Sequence, residues 1–148
     1  MAAIRHAEVT WSGDLLSGSG TINYVSSGTF SRLPVTWASR TETHDGRTSP
    51  EELLAAAHAS CYSMSLSSRL AKAGTPATKL DVKAVVTFDK VGDGWKVVSS
   101  ALSVKGVVPG ASAASFAEAA EGAKDGCPIS GALKGNVELS VEATLVEG

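Results

Sequence analysis

The sequence predicts one α+β domain over residues 1–148, with mostly antiparallel sheets around a long helix and a second helix. Three observations point there. Strand-like alternation fills the first third of the chain and returns near residues 80–104 and 137–145. One alanine-rich helical run opens at Ser49-Pro50-Glu51-Glu52 between those stretches. No internal repeat or low-complexity linker divides the chain, and 148 residues suffice for one core but not for two ordinary domains.

The elements follow in order. Ala7-Glu8-Val9-Thr10-Trp11 alternates as a strand and meets a turn at Ser12-Gly13-Asp14. Thr21-Ile22-Asn23-Tyr24-Val25 is a second strand between glycines, and Val35-Thr36-Trp37-Ala38 a third. Residues 41–48 are polar and read as a loop. Ser49 then caps a helix, Pro50 fits its first position, and Glu52 closes a capping box. Both carboxylates face the positive end of the dipole, a sufficient structural reason for Glu51 and Glu52. The helix runs through Leu70 and stops near Gly74, a length of roughly 35 Å at about 1.5 Å per residue. Its small residues on several sides predict close packing all round, as in a central helix that meets its own copy in a dimer. Leu80 to Phe88 and Trp95 to Val104 form a hairpin across Gly92-Asp93-Gly94. Ala111 to Ala123 is helical, with Phe116, Ala119, Ala120 and Ala123 in one stripe. Gly126-Cys127-Pro128 interrupts, a short helix carries Ile129 and Leu133, and Val137 to Leu145 closes as a strand.

Bulk properties narrow the function. The net charge is −2 with both signs interspersed, so no basic stripe for nucleic acid and no acidic tail is present. Glu52, His58 and serines break the longest apolar stretch, which excludes a membrane-spanning reading. Met1 to His6 has no apolar signal segment, and a cytoplasmic location is the default expectation. Two cysteines in such a compartment are poor candidates for a structural staple. They are either buried core thiols or a reactive pair.

The two sulfurs sit in different settings. Cys127 precedes a proline at a helix start, where orphan N–H groups favour a thiolate. Cys61 lies deep in the long helix and needs a cation nearby to react; Arg40, Arg47 and His58 are candidates. His58, one turn before Cys61, is either a Cys/His partner or a structural histidine of the interior. A Cys61/Cys127/His58 metal site fits no zinc spacing and lacks an evident fourth ligand, so no metal is expected. The Gly/Ser run at 17–20 reads as a hairpin turn and not a phosphate cradle.

Three segments together resemble the OsmC/Ohr-type hydroperoxide reductases: Ser49-Pro50-Glu51-Glu52-Leu53-Leu54, Ala56-Ala57-His58-Ala59-Ser60-Cys61 and Gly126-Cys127-Pro128-Ile129-Ser130. Trp11-Ser12-Gly13-Asp14, Ser39-Arg40 and Val108-Pro109-Gly110 are similar to the OsmC branch in particular. The resemblance spans essentially the whole chain. It implies an OsmC-like fold, with sheets wrapped around central helices in an intertwined homodimer. It also implies a cytoplasmic thiol-dependent peroxidase that reduces organic hydroperoxides, and hydrogen peroxide less well. In that family the cysteine matching Cys61 attacks the peroxide and the one matching Cys127 resolves it as a disulfide. An arginine matching Arg40 and a glutamate matching Glu51 complete the site, and a dithiol reductant, of lipoyl type in some members, restores it. Neither metal nor flavin cofactor is implied.

Arg47, nearer Glu51, and Arg32 are alternatives to Arg40 on position alone. About 15 Å of axial rise separates Glu51 from Cys61 on a straight helix. The expectation is therefore a composite site, with Glu51 or Arg40 supplied by the dimer partner. Two other readings compete: a non-catalytic OsmC-like module binding an apolar small ligand between its central helices, and an interaction protein held by a stable disulfide.

Overall fold

Alternating apolar and polar residues at both ends of the chain build two separate three-stranded sheets. A computed structural model describes all residues, Met1–Gly148, which divide into two compact units, Met1–Leu53 and Leu54–Gly148.

In the first unit β1 (Ala7–Ser12), β2 (Ser19–Val25) and β3 (Ser31–Val35) pair antiparallel in sequence order. Gly20 on β2 has no side chain for a packing reason. A Cβ there would lie 2.7 Å from the Trp11 ring and 2.9 Å from Val35, so the indole and the valine close over bare backbone. Ile22 is the one buried apolar side chain of this unit. The third strand ends earlier than the sequence predicts. Thr36 accepts from the Ser39 N–H and Ser39 answers to the Thr36 N–H, a capping box that turns Trp37–Thr41 into a one-turn helix, α1. Local capping thus overrides the β preference of Thr36 and Trp37.

Helix α2 (Pro50–Lys72) begins and ends close to where the sequence places it. Ser49 Oγ accepts from the Glu52 N–H at 3.1 Å. The expected capping box stays half-formed, because the Glu52 carboxylate takes the Thr48 hydroxyl instead, at 3.0 Å. At the far end Gly74, at φ +83°, lets the chain fold back, and the Thr75 N–H reaches the Leu70 carbonyl at 3.0 Å.

The second unit carries β4 (Lys79–Val91), β5 (Gly94–Val107), α3 (Ala113–Gly126), α4 (Pro128–Leu133) and β6 (Glu138–Glu147). The β4–β5 hairpin is antiparallel, as its glycine turn demands. β6 pairs with β5 in parallel, since α3 and α4 form a crossover that returns the chain to the same end of the sheet. His58, Tyr62, Leu66 and Leu70, at helical spacing, are the buried stripe of α2 in this unit. The apolar members share one core with Leu102, Val104, Val108, Phe116, Ala120, Ala123 and Cys127. Met64, on another side of α2, is 69% exposed in the single chain.

The Phe116 ring packs onto β5 at Gly106, where an added Cβ would stand 2.5 Å from its Cζ. Gly106→Ala is expected to cost about 1–3 kcal/mol by overpacking. Urea unfolding measures this, and an unchanged midpoint would show that the ring moves aside freely.

Candidate active site

Cys127 sits where two helices meet. Its N–H donates to the Ala123 carbonyl at 2.9 Å, ending α3, and its carbonyl accepts from the Gly131 N–H at 2.9 Å, opening α4. Extended backbone at Cys127 (φ −71°, ψ 124°) and Pro128 at the first helical position make the sharp change of direction. The side chain is 1% exposed. Cys61, half-buried on α2, meets it, and the two side chains interact as free thiols. The structure thus brings together two sulfurs distant in sequence.

Their ionisation differs, in the order that the helix-start argument predicts. Burial pushes the Cys61 thiol up, and the neighbouring Cys127 pushes it further; the Ile129 backbone opposes both. Burial also works against a Cys127 thiolate. The Ser130 backbone, the Cys61 side chain, the Ser130 hydroxyl and the Ile129 backbone outweigh it and hold Cys127 below the usual thiol value. No N–H caps α4 through the sulfur in regular hydrogen-bond geometry, so these groups act by closeness and orientation. Of the two, Cys127 is the sulfur that ionises more readily.

His58 is fully buried. Nδ1 lies 2.6 Å from the Ser100 hydroxyl and Nε2 lies 2.8 Å from the Ser130 hydroxyl. Burial lowers its pKa, so the ring is neutral. With both nitrogens taken by serines, His58 pairs directly with neither sulfur and offers no free ligand for a metal. Neither serine stands out in the sequence by composition. Ser100 carries a signal in register, as a polar residue in the inward series Ser100, Leu102, Val104 of β5. Ser130 falls at the third position of α4, on the turn that Cys127 opens.

The arginine and glutamate expected at the site meet in the first unit. Arg40 Nε lies 3.2 Å from each Glu51 carboxylate oxygen, and Nη2 lies 2.6 Å from Oε1. Such a fork-to-carboxylate contact fixes the guanidinium plane. Arg40 also stacks 5.6 Å from the Trp37 ring centroid. Ser39 Oγ donates to the Thr48 carbonyl at 2.9 Å and ties α1 to the segment before α2. Arg47 pairs with Asp45 on the surface, so Arg40 is the arginine that Glu51 holds. Beside it lies a pocket of about 370 Å³ lined by Trp11, Leu15, Val35, Thr36, Trp37, Arg40 and Pro50. One cation facing a mostly apolar wall is a feature that the strand and helix patterns did not reveal.

The family model described as "OsmC-like protein" matches residues 43–142. The chain is also 38% identical over 142 residues to Peroxiredoxin OsmC of Escherichia coli strain K12, covering 96% of this chain and 98% of that one. The chain belongs to the OsmC family. Peroxiredoxin OsmC of Shigella flexneri matches to the same extent. Among solved structures, OhrB of Bacillus subtilis, an organic hydroperoxide resistance protein, shares the fold. Its TM-score is 0.73 at 22% identity, over 94% of this chain and 98% of that one. The α+β, OsmC-like architecture expected from the sequence is thereby established.

In this OsmC-family chain Glu51 is nearly buried and Arg40 about a quarter exposed, so losing one partner leaves the other poorly solvated. Glu51→Gln is expected to lower stability by about 1–3 kcal/mol. Chemical denaturation measures it; an unchanged midpoint would mean that water satisfies Arg40 equally well.

Proposed function

We propose that the protein is a thiol-dependent peroxidase that reduces organic hydroperoxides to alcohols. The observation that carries this reading is the meeting of two free thiols of opposite ionisation tendency, Cys61 and Cys127. The relatives named Peroxiredoxin OsmC support the peroxidase assignment. The pocket of about 370 Å³ with one guanidinium in an apolar wall suits an alkyl peroxide.

Cys61 is the attacking sulfur in this reading. Its thiolate displaces the alkoxide from the O–O bond, which gives Cys61 sulfenic acid and, after proton uptake, an alcohol. The Cys127 thiolate then attacks the Cys61 sulfur. An S–S bond forms, and hydroxide leaves as water once protonated. A dithiol, of lipoyl type or similar, returns both cysteines to thiols and becomes a disulfide. Atoms and electrons balance with thiols alone.

A raised Cys61 thiol must be turned into a thiolate, and Arg40 is the cation we assign to that task and to orienting the peroxide oxygens. Glu51 holds its plane. We assign the working unit to a homodimer. The first unit exposes Val9, Trp11, Leu15, Leu16, Tyr24 and Phe30, apolar surface of the kind that a second copy covers. No helix is long and apolar enough to cross a membrane, and a dithiol-fed couple suits the cytoplasm, the location we assign.

Thiol counting tests the couple: one equivalent of cumene hydroperoxide should remove both free thiols together, and Cys61→Ser should abolish turnover with a dithiol. Turnover that survives Cys61→Ser would sink the reading and favour the apolar-ligand module. Arg40→Met should slow peroxide consumption on the order of a hundredfold; a full rate removes Arg40 from the mechanism. Mixing Cys61→Ser with Glu51→Gln protomers tests sharing between subunits. Recovery of activity in the mixture is the expected result, and none would assign each site to one chain.

A further inference from the structure

The peroxidase chemistry uses two sulfurs, a cation and its carboxylate, yet the second unit buries a polar row that it leaves without a task. Ser100, His58 and Ser130 follow one another at 2.6 Å and 2.8 Å, and Ser130 stands in the first turn of α4, the helix that Cys127 opens. All three are at most 2% exposed. An apolar side chain at 58 would continue the stripe of Tyr62, Leu66 and Leu70 without any need for partners.

We propose that Ser100, His58 and Ser130 form a hydrogen-bond relay that aims the Ser130 hydroxyl proton at the Cys127 sulfur, making Cys127 the sulfur released when the disulfide is reduced. His58 and Ser100 act through Ser130 and are positioning residues. The proposal rests on the peroxidase reading above.

Of the two arrangements that the donor count allows, one leaves a proton for the sulfur. A neutral imidazole has one N–H and one lone pair, and each serine has one proton to give. If Ser130 donates to Nε2, its proton is spent and nothing remains for sulfur. If Nε2–H donates to Ser130 Oγ, the Ser130 proton is free for Cys127. The Ser100 hydroxyl then donates to Nδ1, which fixes that tautomer. Every donor in the row then points the same way, and each bond polarises the next. The Ser130 hydroxyl does favour the Cys127 thiolate, as this direction requires.

This direction matters in the reductive half of the cycle. Cys61 lines an open cavity of about 830 Å³ with Met64, Arg69, Gly126 and Pro128, whereas Cys127 is 1% exposed. An incoming dithiol, as its thiolate, reaches the Cys61 sulfur. The bond to Cys61 forms, the Cys61–Cys127 bond breaks, and Cys127 departs with the electron pair as a thiolate that receives the Ser130 hydrogen bond. The second thiol of the reductant loses its proton and attacks its own bound sulfur. A cyclic disulfide forms and Cys61 leaves as a thiolate. A leaving thiolate of lower pKa leaves faster, so the relay accelerates the first of these two steps.

The test uses the full-length protein and needs no peroxide. In a Cys61→Ser background, where Cys127 alone titrates, ultraviolet thiolate absorbance against pH should show Ser130→Ala raising the Cys127 pKa by about one unit. Ser100→Ala should move it in the same direction by less. With both cysteines present, reduction of the preformed disulfide by dithiothreitol should slow about threefold in Ser130→Ala. Nitrogen-15 NMR of the unmutated protein should show a neutral His58 protonated at Nε2. An Nδ1-protonated ring, or a Ser130→Ala titration that does not shift, overturns the relay. A shift in Ser130→Ala with none in Ser100→Ala leaves a lone hydroxyl and overturns the role of His58. If the relay passes and the protein consumes no hydroperoxide, the peroxidase reading fails instead.

Discussion

The buried stripe of α2 is the constraint on which the proposed thiol chemistry depends. Tyr62, Leu66 and Leu70 hold one face of the helix in the core of the second unit, and the Tyr62 hydroxyl reaches the Ala120 carbonyl of α3 at 2.9 Å. That contact sets α2 against the helix that ends at Cys127. Cys61 lies one residue before Tyr62, so its sulfur is carried to the edge of the same contact, neither in the core nor free of it. Half-burial makes its thiol reluctant to ionise and at the same time leaves it reachable.

The two ionisable clusters are held by different physics. Arg40 and Glu51 attract each other by charge, near a surface where water screens part of the effect. Cys127, the histidine and the serines interact mostly as dipoles in the buried interior, where a single hydroxyl has a larger influence. A cation is suited to lowering a thiol pKa strongly on demand; oriented dipoles are suited to keeping one buried sulfur permanently receptive to charge. The division matches the roles assigned to Cys61 and Cys127.

Much of this was legible in the sequence, for identifiable reasons. Ser49-Pro50-Glu51-Glu52 announces a helix because capping chemistry is local, and Gly92-Asp93 announces a hairpin because few residues tolerate that turn. The cysteine motifs were readable through family resemblance, and so was the choice of Arg40 over Arg47. Three things were not. The one-turn helix at Trp37–Thr41 depends on a reciprocal Thr36–Ser39 cap within residues that favour strands. The parallel pairing of β6 is invisible to alternation, which reports faces and not partners. Ser100 and Ser130 look like ordinary serines until the fold sets them on either side of His58.

The junction at Cys127 has a mechanical consequence. Both backbone hydrogen-bonding groups of this residue are committed, one to α3 and one to α4, and the following proline stiffens the peptide. The main chain there behaves as a clamped joint and only the side-chain torsion remains adjustable. In the proposed cycle, making and breaking a bond at this sulfur is then a matter of rotation about fixed anchor points. That proposed cycle asks neither helix to unwind.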